Sequence, residues 1–383
     1  MNDDRPIYLD HNATTPVAPP VLEAMQPYLT QHYGNPSSGH IYGRSARRGM
    51  DRARKQVADL IGTTPGRIIF SSGGTEANNL AILGALDAMG NGASPGDGPG
   101  KVVTTAIEHP AVHEPCAYLA SQGWEVEQVG VDAGGRLDLQ AMEAALDERT
   151  CLVSVMHANN ETGVIQPLKE VVEMAHKVGA LVHSDAAQSV GKVPIDVSDL
   201  GVDLLSMAGH KLYAPKGVGA LFVAEGVELS PVIHGSSHES GLRPGTENVA
   251  SIVGLGEACR WAKETQQEEG RRQAALRDRL WQKLQDGIED LHLNGAREHL
   301  LPNTLNVRFP GTTAGDLLFQ VPEIAASGGS ACHSGDAQPS SVITAMGVDP
   351  QEALGSVRLS LGRCTSRAQI DKVARLLVEA ANH

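Results

Sequence analysis

Three polar stretches, each following a short apolar run, carry side chains suited to binding or catalysis. Ser71-Ser-Gly-Gly-Thr-Glu-Ala opens a helical pattern, and the free N–H groups of such a helix start suit a phosphate or form an ordinary cap. Asp185 is placed to hold a cationic ring nitrogen or to cap a helix. Lys211 is either a partly desolvated nucleophilic amine or a surface lysine. Together they are the parts that hold pyridoxal phosphate (PLP) as a Schiff base.

Cys332 has an unusual setting, the stretch Ser-Gly-Gly-Ser-Ala-Cys-His-Ser-Gly at residues 327–335. A core cysteine normally stands within an apolar run, and this one has almost no apolar neighbours along the chain, which favours a chemical role. The other cysteines, at 116, 151, 259 and 364, form no spaced framework. Their odd total of five and their scatter favour free thiols in a reducing compartment.

A metal site is a weaker interpretation of the stretch Glu108-His-Pro-Ala-Val-His-Glu-Pro-Cys. His109, His113 and Cys116 have helical spacing, but two prolines interrupt the stretch and a fourth ligand is not evident. We therefore expect no metal.

The elements that must position these residues alternate along the chain. Short β-rich runs, separated by helical patterns such as 76–89 and 168–178, predict an α/β domain with a mainly parallel sheet. In such sheets ligands bind beyond the carboxyl ends of the strands, where the three polar stretches fall. A long charged helical pattern over 249–287 then leads into a region where the pattern of predicted strands and helices differs. A domain boundary is therefore predicted near residue 262.

Composition excludes several classes of function. The chain has 383 residues, 41% of them apolar, which suffices for a substantial core. The net charge of -14 and the lack of basic clusters argue against nucleic-acid binding. No apolar run has membrane-spanning length, and the start Met-Asn-Asp-Asp-Arg-Pro does not have the pattern of a signal peptide. We expect a cytoplasmic protein with no membrane partner.

Ten motifs, in order along nearly the whole chain, resemble those of the cysteine desulfurases of the class V aminotransferase group, the NifS/IscS-like proteins. They are Tyr8-Leu-Asp-His-Asn-Ala-Thr-Thr-Pro, Gly34-Asn-Pro-Ser-Ser, Ser72-Gly-Gly-Thr-Glu, Glu108-His, Ala158-Asn-Asn-Glu-Thr-Gly, Asp185-Ala-Ala-Gln, Gly209-His-Lys, Arg243-Pro-Gly-Thr-Glu-Asn, Gly329-Ser-Ala-Cys and Val357-Arg-Leu-Ser-Leu-Gly-Arg. The resemblance implies a PLP-dependent transferase of fold type I. Its large PLP-binding domain would be 16–261, and 1–15 with 262–383 would form a small α+β domain carrying the catalytic cysteine loop at about 327–342.

The resemblance also implies the role of each matching residue. The catalytic residues would be Lys211 as the Schiff-base lysine, His109 stacked on the ring, and Cys332. The other cofactor contacts would be Asp185 on the pyridine nitrogen, Gln188 and Asn160 near the phenolic oxygen, and Gly74, Thr75 and His210 at the phosphate. Thr246 would reach the phosphate from the other subunit of a homodimer. Substrate would be bound by Arg358, whose planar guanidinium suits a carboxylate, together with Asn160 and Asn35.

The reaction that the resemblance implies converts L-cysteine to L-alanine. The amine of Lys211 moves the Cα proton, and the Cys332 thiolate accepts the substrate sulfur as a persulfide for transfer to an acceptor protein. The spacing from Cys332 to Arg358 matches the long catalytic loop of the NifS/IscS-like branch.

Three features depart from the family pattern. Ala208 stands where IscS-like proteins have a serine, which would remove one phosphate hydrogen bond, and Ser240 stands in place of an arginine. The sequence ends at His383 without the extension by which IscS-like proteins dock their scaffold partner, so delivery to an iron–sulfur scaffold is not implied.

Two other functions remain open. Selenocysteine lyase shares the fold and the chemistry, and Ala331-Cys-His-Ser, Gln338-Pro-Ser, Arg243-Pro-Gly-Thr-Glu-Asn and His292-Leu-Asn are closer to that enzyme, which would act on L-selenocysteine. The spacing from Cys332 to Pro339 favours the desulfurase. A catalytically inactive sulfur-trafficking scaffold is disfavoured because the expected reactive residues are all intact: Lys211, Asp185, His109, Cys332 and Arg358.

Overall fold

The computed structural model describes residues 5–90, 99–328 and 338–382. Cys332 and most of its predicted loop lie outside these residues. The strands are β1 (Ile7–Tyr8), β2 (Ile68–Ser71), β3 (Lys101–Thr105), β4 (Glu125–Val129), β5 (Thr150–Ser154), β6 (Leu181–Asp185), β7 (Leu204–Ala208), β8 (Gly219–Val223), β9 (His292–Leu293), β10 (Thr304–Arg308), β11 (Ile324–Ala325), β12 (Ser327–Gly328) and β13 (Ser356–Ser360). The α-helices are α1 (Pro19–Thr30), α2 (Ile41–Ile61), α3 (Gly74–Ala88), α4 (Pro110–Ser121), α5 (Leu139–Ala145), α6 (Leu168–Lys177), α7 (Val197–Leu200), α8 (Val249–Gly287), α9 (Ala314–Gln320), α10 (Ser341–Ala345), α11 (Pro350–Ala353) and α12 (Arg367–Ala381).

The large sheet has the strand order β2-β8-β7-β6-β5-β3-β4. β8 runs antiparallel to both neighbours, and the strands from β7 to β4 are parallel, which confirms the predicted α/β class. Strands β2, β3 and β7 are buried along their whole length because helices cover the sheet. Because β5, β6 and β7 are parallel, their carboxyl ends lie at the same edge of the large sheet, and the loops that follow them meet there.

The small sheet has the order β12-β13-β10-β9 and is antiparallel. Its central strand β13 places Arg358 opposite Asn306 of β10 and Ser327 of β12. The N-terminal segment joins this part of the molecule, because β1 pairs with β11 and Asp10 bridges to Ser360.

Helix α8 connects the two sheets as one continuous helix of 39 residues. Its buried side chains up to Ala262 pack in the core of the large sheet, and those from Leu276 onward pack in the core of the small sheet. The domain boundary predicted near residue 262 falls within this helix, and the division into two domains stays a prediction. In the described ranges, no helix combines the length and apolar character needed to cross a bilayer.

Candidate cofactor and substrate site

A cavity of about 170 Å³ lies at the carboxyl edge of the large sheet. It is lined by the eight residues that sequence analysis assigns to PLP within one subunit: Gly74, Thr75, His109, Asn160, Asp185, Gln188, His210 and Lys211. These residues come from five separate loops or helix starts. Their convergence follows from the parallel strand order, which brings consecutive strand ends together.

The start of α3 forms one end of the cavity. Gly73 precedes the helix with a φ of 156°, a conformation that residues with side chains rarely adopt. The backbone N–H groups of the first helical turn have no acceptor within the helix, so this end favours an anion. A Cβ on Gly74 would stand 3.3 Å from the Cβ of Ala208, so the two positions leave little space between them.

Lys211 lies in a short 3-10 turn directly after β7. Its Nζ donates to the backbone oxygens of Asn12 (2.5 Å) and Ala13 (2.8 Å), which belong to the N-terminal segment. Burial lowers the pKa of Lys211, the nearby Arg358 guanidinium also lowers it, and the charges of Asp185 and Asp10 oppose them, which together leave the pKa at about 8. About a tenth of this amine is therefore uncharged, and nucleophilic, at pH 7, and about half of it at pH 8.

Asp185 ends β6 with its carboxylate buried. Oδ2 accepts a 2.7 Å hydrogen bond from Nδ2 of Asn78, and Oδ1 accepts one from the backbone N–H of Ala187. Asn78 is fully buried in α3, and its Oδ1 has no partner among the described residues. Sequence analysis missed Asn78, which fixes the carboxylate on which a cationic ring nitrogen would depend.

His109 caps α4, with its Nδ1 accepting from the backbone N–H of Ala111. This bond leaves Nε2 as the protonated nitrogen, and desolvation lowers the pKa of His109, so the ring is neutral. Burial raises the pKa of the neighbouring Glu108 to about 8. A protonated Glu108 adds no second negative charge beside Asp185.

Asn12 bonds to three of the predicted cofactor residues, Gln188, Asn160 and Lys211, although the sequence assigned it no role. Its backbone oxygen accepts from Gln188 as well as from Lys211, and its Nδ2 donates to the backbone oxygen of Asn160. Its Oδ1 accepts from Lys192, which also donates to Oε1 of Gln188. Asn12 is fully buried, so this network holds the N-terminal segment against the cavity.

Arg358 reaches the same region from the small sheet. Its Nη1 donates to the backbone oxygen of Asn160 (3.1 Å), and its Nη2 donates to Oδ1 of Asp10 (2.8 Å). The Arg358 side chain is 7% exposed, and its Nε is buried with no partner in the part of the chain that the structure describes. A buried donor without an acceptor is costly, so the free Nε of this cationic side chain suits an anionic ligand.

The structure does not bring every predicted residue to the cavity. Asn35 and Thr246 are exposed and do not line it, and Cys332 lies outside the described residues. Near Ser240, the neighbouring Glu239 is buried in a two-oxygen ion pair with Arg54. Across residues 5–90, 99–328 and 338–382, no three acidic, histidine or cysteine side chains are grouped to hold a metal ion.

The residues at the cavity fit PLP. An amine of lowered pKa, a buried carboxylate and an anion-binding helix start are the three groups that PLP requires, and all line one cavity. The unpartnered Oδ1 of Asn78 shows that one polar atom in this wall still needs a partner. Fold and site together define a PLP-dependent enzyme of fold type I.

Comparisons with known proteins give the family. The model of aminotransferase class-V matches residues 7–373, and the chain belongs to this family, whose members are PLP-dependent enzymes. It is 45% identical over 378 residues to the cysteine desulfurase IscS of Serratia proteamaculans, which covers 97% of this chain and 92% of that protein. These findings confirm the predicted family, cofactor and enzyme class.

Solved structures agree with this assignment. A NifS-like protein superposes with a TM-score of 0.90 at 36% identity, covering 98% of each chain. SspA in complex with cysteine superposes with a TM-score of 0.80 at 35% identity, covering 92% of this chain and 98% of that one.

Proposed function

We propose that the protein is a cysteine desulfurase, which converts L-cysteine to L-alanine and passes the sulfur to Cys332. The observation that carries this proposal is the convergence of the predicted cofactor residues on one cavity with Arg358 bonded to its rim. Near full-length similarity to an IscS cysteine desulfurase, and to a protein solved with cysteine bound, supports the substrate.

Each of these cavity residues would contact a different part of PLP or share one, and Lys211 and Asn160 would also act on the substrate. Lys211 would bind it covalently, Asp185 would hold its ring nitrogen and His109 would cover its ring, while Gln188 and Asn160 would lie at its phenolic oxygen. The phosphate would be held by Gly74, Thr75, His210 and the partner subunit's Thr246. When bound, PLP withdraws electrons from the substrate Cα. Asp185 supports this withdrawal because its charge keeps the ring nitrogen protonated.

The chain's own residues carry the remaining steps. Arg358 and Asn160, with Asn35, orient the substrate by its carboxylate, and the neutral amine of Lys211 takes the Cα proton. The Cys332 thiolate then attacks the substrate sulfur, so that the S–S bond forms as the C–S bond breaks. Cβ keeps the electron pair of the C–S bond and takes up a proton, and Lys211 returns a proton to Cα, which gives L-alanine and a persulfide with no added oxidant.

A homodimer completes this proposal. Large apolar side chains are exposed on and near α1 and at the start of α2, and we call them the N-terminal apolar patch: Leu22, Leu29, Tyr33, Ile41 and Tyr42. The rings of Tyr33 and Tyr42 lie 5.7 Å apart, and exposed apolar side chains grouped in this way support a subunit interface here. The exposure of Thr246 and Asn35 fits residues that act across it.

Other parts of the proposal rest on sequence. We infer a cytoplasmic protein of two domains, 16–261 and 1–15 with 262–383, which passes sulfur to an acceptor protein. The separate cores of the two sheets support this division.

The deciding experiment incubates the wild-type holoenzyme with L-cysteine and measures alanine and the protein mass. We expect alanine and a mass increase of one sulfur on Cys332, removable by dithiothreitol and absent from Cys332→Ala. Exposed Cys364 provides the control, since Cys364→Ala should still gain the sulfur. If cysteine only inhibits and L-selenocysteine alone yields alanine, the protein is a selenocysteine lyase.

A further inference from the structure

The Arg358 guanidinium is already engaged by an acid of the chain itself. Asp10 accepts from Nη2, while Nε, on the same edge of the guanidinium, is buried and unpartnered within the described ranges. A carboxylate binds arginine best through two parallel N–H donors. An incoming substrate carboxylate that uses Nε and Nη2 would therefore share Nη2 with Asp10.

Asp10 is a partly exposed acid close to the site. Its side chain is 22% exposed, so water still reaches it, and its charge acts on Lys211 as well as on Arg358. Its backbone is held by the bridge to Ser360 and by the Tyr8 hydroxyl, so the segment that carries the carboxylate is anchored independently of Arg358. Two carboxylates at one guanidinium repel each other.

We propose that Asp10 is a positioning residue that holds Arg358 in the resting enzyme and competes with the carboxylate of the amino acid for it. This inference rests on the proposed function, in which Arg358 binds that carboxylate. Its consequence is that an amino acid held mainly by its carboxylate, such as the product alanine, binds weakly and leaves. The competition raises the dissociation constant without a contact to the reacting atoms.

The test compares L-alanine with L-alaninamide, which lacks the carboxylate, by calorimetric titration of the holoenzyme. Asp10→Asn keeps the shape and the acceptor oxygen but removes the charge. We expect alanine binding, relative to alaninamide binding, to strengthen about fivefold, which corresponds to the ~1 kcal/mol of a partly exposed ion pair. A residue that only supports the fold would instead weaken alanine binding when it is changed.

Asp10→Ala is the second variant and should strengthen relative alanine binding in the same way. Glu352→Gln is the matched control, because Glu352 pairs with Arg308 on the neighbouring strand β10 of the same sheet. It should leave the ratio of the two affinities unchanged. A ratio that stays constant or falls in the Asp10 variants overturns the proposal. Because neither ligand needs to lose sulfur, the result stands whether or not the protein desulfurates cysteine.

Discussion

The two sheets contribute to the site in different ways. The large sheet supplies His109, Asp185 and Lys211 at or just beyond strand ends, each held by partners close to the cavity. The small sheet supplies Arg358 from the middle of β13, and its side-chain partners are Asp10 and Asn160, far away in sequence. The cofactor residues are thus gathered by the strand order of one sheet, with Lys211 also bonded to the N-terminal segment, whereas the substrate residue Arg358 comes from a different sheet. Substitutions on the cofactor side should change PLP binding, whereas substitutions on the substrate side should change the KM for the substrate.

The largest effect is expected on the cofactor side, at Lys211. Lys211→Ala removes the amine that we propose both binds PLP and takes the Cα proton, so activity should fall by about 10⁴-fold or more. Borohydride treatment followed by mass spectrometry should find no cofactor fixed to the variant. Lys216→Ala, an exposed lysine nearby, serves as the control and should keep both properties. Full turnover by Lys211→Ala would contradict the assignment.

On the substrate side, Arg358→Ala should raise the KM for L-cysteine strongly and leave the absorbance of the bound cofactor unchanged. Losing a buried charge-assisted pair costs about 2 to 5 kcal/mol of binding. Steady-state kinetics and a visible spectrum check the two halves of this prediction. Arg308→Ala, on the adjacent strand, is the matched control. If the spectrum changes while the KM does not, the division between the two sides is wrong.

Asn78→Ala should weaken PLP binding to the apoenzyme by about tenfold or more, since hydrogen bonds to charged groups contribute roughly 1.5 to 3 kcal/mol. The lost bond is the one that Asn78 donates to Asp185. Fluorescence titration with PLP measures the change. Asn79→Ala is the control for a change in the same helix, because Asn79 donates to the backbone oxygen of Thr75 in α3 and, among the described residues, not to Asp185. Equal weakening in both variants would show that α3, and not the bond to Asp185, is responsible.

The last prediction concerns the pH dependence of the wild-type protein. Because burial lowers the pKa of Lys211 to about 8, its neutral amine becomes more abundant as pH rises and reaches a plateau above this value. The rate of PLP incorporation into apoenzyme should therefore rise between about pH 6 and 8 and stay level above pH 9. An ordinary lysine would give a rise that continues toward pH 10.5. Stopped-flow absorbance across this range distinguishes the two curves.

The cofactor side could be predicted from sequence because each residue follows a recognisable strand. Asn78 could not, since Asn78 and Asn79 are neighbours of the same type in a helix, and only the packing of α3 decides which one faces Asp185. The edge strand β4 was not predicted either. Its sequence Glu-Val-Glu-Gln-Val is only partly buried, so it does not have the apolar run of its neighbours.

The substrate side was less accessible to sequence reasoning. Arg358 came from a motif, but its contact with Asp10 depends on strand pairing between the two ends of the chain. The same holds for Asn12, whose side chain reaches Thr304 and Asn160. No periodicity within one segment contains this information, because the contacts are set by tertiary packing.

The bond between Asp10 and Arg358 joins residues 348 positions apart, as does the one between the Asn12 backbone and Ser360. On a ribosome that adds about 5 to 20 residues per second, the N-terminal segment is synthesised roughly 20 to 70 s before Arg358 and Ser360. A growing chain can complete the large sheet during that time, but Lys211 lacks the fixed carbonyl oxygens that hold its amine. The contacts of Arg358 and Ser360 with the N-terminal segment therefore form only after the large sheet has been synthesised.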